Sequence, residues 1–513
     1  MAATSHPLAT EAAVAILREG GTAAEAMVAA GAVLAVVEPH MTSIGGDAFA
    51  ILSDAEGTMR GLSGAGRTSR TLDAEALAER HGSADHLPVD SPHAVTVPGA
   101  PALWEQLAAT GSLGLDRLLA PAIRLAREGF PVAPRVARDW AASADRLTGT
   151  GARAHYTRDG AAPATGDVWR LPALAGTLEA VARDGARSFY RGAVGEEIVL
   201  ALAAMAPDGG TIDADDLAAH ATAEVEPIVR PFGGVGVAEL PPSNQGITAL
   251  VMLGLLERLG HASLDPASPE RAHLLIEASR LAYSGRDAHL ADIEAMATTP
   301  EALLEPTRLD ALAATIRMDR AGPIHPAPDP GSDTVYACAV DRDGRSCSFI
   351  NSLFHSFGSG IVTERSGVAL QNRGCGFVLR RGHPNALEAG KRPLHTLIPG
   401  MLVGDGACLG PFGVMGGQYQ AHGHAQVVSL MVDHSYDPQA ALDAPRLFHE
   451  GEWVEVEATV PDATVAALDA MGHRVRQADA PIGGGQVIRI DRAQGVLVGG
   501  SDPRKDGLAL GLA

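Results

Sequence analysis

Apolar positions keep a helical period through most of the chain and switch to a strand-like alternation near residue 334. In the first part, the apolar residues of Leu8–Arg18 recur at helical spacing and stop at Gly20-Gly21, predicting an amphipathic helix. Thr22 opens a second helix, with Glu25 three residues on completing a capping-box pattern, and Pro39 ends it. Its run Met27–Val37 is apolar all round, which predicts a buried helix too short to span a bilayer. A turn, Ile44-Gly45-Gly46-Asp47, feeds the predicted strand Ala48–Ser53, and Pro98-Gly99 precedes a helix near Ala102–Thr110. From about Leu118 to Ala314 the pattern is mostly helical, broken at Pro241-Pro242-Ser243-Asn244-Gln245-Gly246.

After Thr334 the predicted strands are Thr334–Val340, Arg345–Leu353, Val368–Asn372, Leu397–Val403 and Leu409–Val414. Helices are predicted from Gln420 to about Asp433 and over Ala463–Met471, and a hairpin, Gln486–Ile490 with Gly495–Val498, near the end. Periodicity alone gives an α+β chain without internal repeats.

Composition narrows the function. The formal charge of −21 argues against nucleic acid and anionic membranes, which need basic patches to neutralise phosphates. A small anionic substrate would therefore need a local cationic pocket. Apolar residues at 46% suffice for a large core in 513 residues. The start, MAATSHPLATEAA, has neither a basic nor an apolar leader region, so a cytoplasmic location is expected. Cys338, Cys347, Cys375 and Cys408 form no CxxC pair. If Asp341 faces Gly344, Cys338 faces Cys347 across a hairpin; buried free thiols are the expectation in a reducing compartment.

The chemistry concentrates at one junction. Met318–Asp333 carries four prolines and two glycines, which excludes helix or central strand, and Thr334 follows as the first residue of a strand. A backbone cut between Asp333 and Thr334 would leave an N-terminal threonine with its own nucleophile and its own base. An α-amine titrates near ~7.7–8.0, low enough to accept the hydroxyl proton around neutrality.

The runs SHPLATEAAVAILREGG, DTVYACAVDRDG, SFGSGIVTERSGVALQN, KRPLHTLIP, GVMGG, ALDAPR and GSDPR, in that order, resemble the γ-glutamyltranspeptidase family from Ala3 to about Arg504. The resemblance implies a four-layer αββα sandwich of the N-terminal-nucleophile hydrolase type. It also implies self-cleavage before Thr334 into a large subunit (1–333) and a small one (334–513), an αβ heterodimer forming one globular unit. By the same resemblance Thr334 is the nucleophile, Gly416 and Gly417 offer backbone amides to an oxyanion, and Ser352 hydrogen-bonds the nucleophile, with Asn351 sharing that work. No cofactor is implied.

The departures from the family indicate the substrate. Where γ-glutamyl enzymes receive an ammonium with an asparagine, a glutamine and an aspartate, this chain aligns Phe354, Arg373 and Gly376. The two carboxylate-gripping serines become His395 and Thr396, and the helping arginine becomes His93. Arg373 would repel an ammonium, whereas its planar fork with His395 and Thr396 suits a compact carboxylate, and Phe354 would narrow the pocket. The alternative for Arg373 is a salt bridge to Glu364 or Asp433. The implied substrate is a small amide with a carboxylate near the scissile carbonyl, as in the oxamate-hydrolysing branch of the family, which serves purine-nitrogen salvage. Competing readings are a glutathione hydrolase or transpeptidase, an acylase with a longer pocket, and a non-catalytic relative. His422, His424, His355, His383 and His395 invite a metal reading, but no HExxH or Cys/His framework accompanies them, so no metal is expected.

Overall fold

The computed structural model describes residues 1–82, 84–324 and 333–512, with Asp333 described by its backbone alone. The proline-rich stretch before Thr334 therefore lies largely outside the described residues.

Two antiparallel sheets form the centre. One orders its seven strands Leu508–Leu510, Ala2–Thr4, Asp333–Val340, Ser346–Phe354, Asp47–Ser53, Met59–Ser63 and Ala223–Val225. The other orders six, Val496–Ser501, Gly484–Asp491, Ala407–Met415, Gly400–Gly404, Val235–Glu239 and Ile228–Phe232. The sheets meet face to face where Gly413 gives way to the Tyr336 ring; a Cβ there would stand 2.3 Å from it. The Ser348 hydroxyl donates to the Phe412 carbonyl at 3.4 Å in the same layer. Ala23–Val37, buried at every position, covers the first sheet, while Gly246–Arg258 and Gln420–Asp433 cover the second.

Local chemistry explains the boundaries. The Thr22 hydroxyl accepts from the Glu25 amide at 3.1 Å and Glu25 Oε2 accepts from the Thr22 amide at 2.8 Å, so the predicted capping box is formed. His6 caps the first helix, Pro7–Arg18, by accepting from the Leu8 amide. The strands Ala223–Val225, Ile228–Phe232 and Val235–Glu239 fall inside the stretch expected to be mostly helical. The first two are short, partly exposed edge strands, too brief to set an alternation. Val368–Asn372 is not a strand but makes isolated bridges, Gly45 with Leu370 and Val362 with Ala369. In the hairpin Asp341 faces Arg345, not Gly344, because its amide donates to the Arg345 carbonyl. Cys338 consequently pairs with Ser348 and Cys347 with Ala339, on opposite faces, and all four cysteines are free and buried.

Among the described residues no helix is long and apolar enough to cross a membrane. Glu38 ends the Ala23–Val37 helix fully inside the protein, with Ser5 as its hydroxyl donor, and burial pushes its carboxyl up to about 7. A raised folded-state pKa means the group's contribution is whole below the unfolded value and is lost as pH rises through 7. The loss amounts to about 3 kcal/mol by ~1.4 kcal/mol per pKa unit. Glu38→Gln is therefore expected to exceed the parent's melting temperature far more at pH 8 than at pH 5; equal differences at both pH values would refute this.

Candidate active site

Thr334 enters its strand fully buried, and its Oγ1 donates to Ser352 Oγ at 3.1 Å. Pleating explains the pairing: Asn351 stands opposite Val335, so Ser352 shares the face of Thr334. Beyond Asn351 the register shifts, and Phe354 pairs with Asp333 across a bulge. The Phe354 amide donates to Ser352 Oγ at 2.8 Å, and its φ of +83° is a strained value for a bulky residue. That turn lays the Phe354 ring over Arg373, whose guanidinium carbon sits 4.0 Å from the ring centroid.

Arg373 begins a short 3-10 turn, Arg373–Gly376, and is wholly buried. Its Nη1 donates to Thr396 Oγ1 at 3.0 Å and its Nη2 to Ser352 Oγ at 3.4 Å, while Nε has no partner among the described residues. Glu364 and Asp433, the alternative partners, do not pair with it; Asp433 lies 3.5 Å from His261. Burial pushes Arg373 down to about 9, against the pull of Asp47. A buried cation that touches two hydroxyls and a π face, with no carboxylate on it among the described residues, is a costly arrangement that an incoming anion would relieve.

His395 does not offer the donor expected of it. Its Nε2 bonds Asp47 Oδ2 at 2.9 Å, and burial, with Arg373 nearby, pushes it down to about 4. The ring is therefore neutral at pH 7. With Nε2–H directed to the carboxylate, Nδ1 is left as an acceptor, which a substrate carboxylate would oppose. Asn351 also departs from expectation. Its amide donates to the Ser43 and Asp47 carbonyls and its Oδ1 accepts from Trp104, so it faces away from Thr334 and holds the neighbouring strand. His93 bonds the Gly209 carbonyl at 3.0 Å and does not join the group.

Asp47 was not marked by the sequence. Its carboxylate accepts from the Gly99 amide, Gln371 Nε2, the Gly66 amide and His395, organising the wall behind Arg373. The Gly-Gly-Asp turn before a strand was the available signal, since a buried aspartate needs such donors.

The strand Ala407–Met415 delivers Gly416 and Gly417. Cys408 touches Ser346, Phe412 lies under Ser348 and Gly413 under Tyr336, so this strand's C-terminal end emerges at the Thr334 end of the nucleophile strand. Gly416 has φ +124° and Gly417 φ +55°, and a Cβ on Gly416 would stand 2.8 Å from the Gly483 Cα. The turn then enters the helix Gln420–Asp433. Among the described residues neither glycine amide meets an acceptor, as an oxyanion site requires. A cavity of about 470 Å³ opens beside the group, with Phe354, Thr396, Gly376, Gln418 and Arg286 in its wall.

The histidines of the metal reading are dispersed. His424 bonds Glu239 and the Val414 amide, His383 the Asp287 carbonyl, and His395 Asp47. A different trio, His273, Glu277 and His473, lies within ligand distance of one another. There Arg280 donates to His473 Nδ1 at 3.3 Å, and His273 Nε2 bonds the Arg317 carbonyl at 2.7 Å. Those contacts fix His473 as the Nε2–H tautomer donating to His273 Nδ1 at 2.8 Å, which leaves neither lone pair for a cation.

The gamma-glutamyltranspeptidase family model matches residues 9–512. The chain is 36% identical to an oxamate amidohydrolase proenzyme of Klebsiella pneumoniae, over all of this chain and 98% of that protein. It is also 36% identical to the glutathione hydrolase-like YwrD proenzyme of Bacillus subtilis, with the same coverage. Among solved structures, a cephalosporin acylase from Bacillus halodurans superposes with a TM-score of 0.91 at 38% identity, covering 99% of this chain and 94% of that one.

Proposed function

The chain belongs to the gamma-glutamyltranspeptidase family and is an N-terminal-nucleophile amidohydrolase; from that premise we propose that it cuts itself before Thr334 and hydrolyses a small carboxylate-bearing amide, oxamate fitting best. Two face-to-face sheets with helices outside support the four-layer arrangement, and the proposed cut would divide it into subunits 1–333 and 334–513.

In maturation Thr334 Oγ1 attacks the Asp333 carbonyl, the amide becomes an ester, and water releases the two chains. The freed α-amine then takes the hydroxyl proton as Oγ1 attacks the substrate amide. The Gly416 and Gly417 amides hold the oxyanion, ammonia departs with that proton, and water returns oxalate and the free threonine. Ser352 keeps Oγ1 aimed, Arg373 with Thr396 receives the adjacent carboxylate, and Phe354 excludes water. The Asp47 carboxylate, bonded to His395, favours the charged form of Arg373 through space.

The observation that carries this reading is the buried Arg373, two hydrogen bonds from Thr334 through Ser352 and without a carboxylate partner among the described residues. A γ-glutamyl donor brings an ammonium to that place and is disfavoured. The cavity of about 470 Å³ exceeds what oxamate fills, which favours an acylase acting on a larger amide as the second reading. Release of each leaving group, ammonia from oxamate and glutamine, cysteinylglycine from glutathione and aniline from glutaryl anilide, measured side by side decides between them. Oxamate is expected to exceed glutamine and glutathione in kcat/KM by about 100-fold or more, the cost of facing a buried cation with an ammonium. Preference for either γ-glutamyl compound would overturn the carboxylate assignment, and preference for the glutaryl anilide would favour the acylase.

A further inference from the structure

We infer that Gln245 and Arg286 are positioning residues that hold the Gly416-Gly417 turn in register with the Arg373 shelf. Gln245 is wholly buried at the start of the helix Gly246–Arg258. Its Nε2 donates to the Thr396 carbonyl at 2.9 Å and to the Gly417 carbonyl at 3.4 Å. Its Oε1 accepts from Arg286 Nη1 at 2.6 Å, and its backbone amide donates to the His395 carbonyl at 2.8 Å. One amide side chain thus ties the segment that carries Thr396, the acceptor of Arg373, to the turn that carries the candidate oxyanion amides.

Arg286 fixes which way that amide points. A guanidinium only donates, so Oε1 must face it and Nε2 must face the two carbonyls; the flipped amide would oppose like to like on both sides. Arg286 is itself held by Asp287, at 2.7 Å, and lies 4.5 Å over the Tyr283 ring. It also donates to Gln418 Oε1, and the Tyr283 hydroxyl donates to the Gln418 carbonyl. Gln418, the residue after Gly417, is therefore anchored by its side chain and its carbonyl from the long helix Pro269–His289, far along the chain.

The inference rests on the proposed oxyanion role of that turn. Its test compares the parent with Gln245→Glu and with Arg286→Lys, using hydrogen exchange of the 415–420 amides, melting temperature, and kcat and KM on oxamate. In Gln245→Glu the new carboxylate keeps the contact with Arg286 but sets an acceptor against two carbonyls. Exchange across 415–420 is expected to quicken about 10-fold or more at nearly unchanged melting temperature, and kcat to fall about 100-fold with KM little altered. Unchanged exchange and unchanged kcat in both variants would overturn the inference. Quickened exchange in a protein whose parent shows no Thr334-dependent turnover would keep the positioning of the turn and sink the catalytic reading instead.

Discussion

Replacing Thr334 with alanine is expected to leave one uncut chain whose amide hydrolysis falls by roughly 10⁴-fold or more, while Thr334→Ser retains both cleavage and turnover. Alanine removes the hydroxyl proposed to attack the Asp333 carbonyl, and with it the cut that would free an α-amine. Ser352 cannot substitute: its Oγ is already an acceptor for Thr334, the Phe354 amide and Arg373, and it belongs to an uncut strand. Serine keeps Oγ and loses the methyl that restricts its rotamer, so a partial loss of rate is expected. The check is intact mass and ammonia release on both variants under identical conditions. Cleavage in Thr334→Ala would contradict the assignment.

Arg373→Met is expected to lower kcat/KM on oxamate by about 10²–10³-fold while raising the melting temperature. The first effect follows from leaving a substrate carboxylate unpaired in a dry site, about 2–5 kcal/mol. The second follows because Arg373 is buried without a carboxylate among the described residues, so an apolar residue of similar length removes a desolvation cost. The opposite signs are what separate a substrate-binding arginine from a structural one. If activity and stability fell together, Arg373 would be a packing element and the carboxylate pocket would have to lie elsewhere.

The local geometry was legible where its signals are local. A capping box needs only Thr22 and Glu25, and the loop-to-strand junction at Thr334 needs only its neighbours, whereas the nucleophile's role there comes from the family resemblance. The Gly416-Gly417 pair announces left-handed backbone directly. Side-chain direction was harder. Period-two alternation already argues that Asn351 and Ser352 cannot both reach Thr334, and the structure sends Asn351 to Ser43, Asp47 and Trp104. The bulge that turns Phe354 onto Arg373 arises from a register shift, which no residue type signals by itself.

The tautomer of His395 depends on Asp47, a residue remote in sequence whose carboxylate is built from four separate donors. Such long-range pairings decide whether a histidine gives or receives a hydrogen bond, and they set Arg286 and Gln245 behind the turn. The short strands between Ala223 and Glu239 escaped notice for a related reason. They are ordered by the sheets they join more than by their own alternation.

The most direct measurement is the intact mass of freshly purified, fully active protein, with N-terminal sequencing of each chain found. Two polypeptides are predicted, the smaller beginning at Thr334, with activity tracking the fraction cut. Full activity in a single unbroken 513-residue chain would contradict the account.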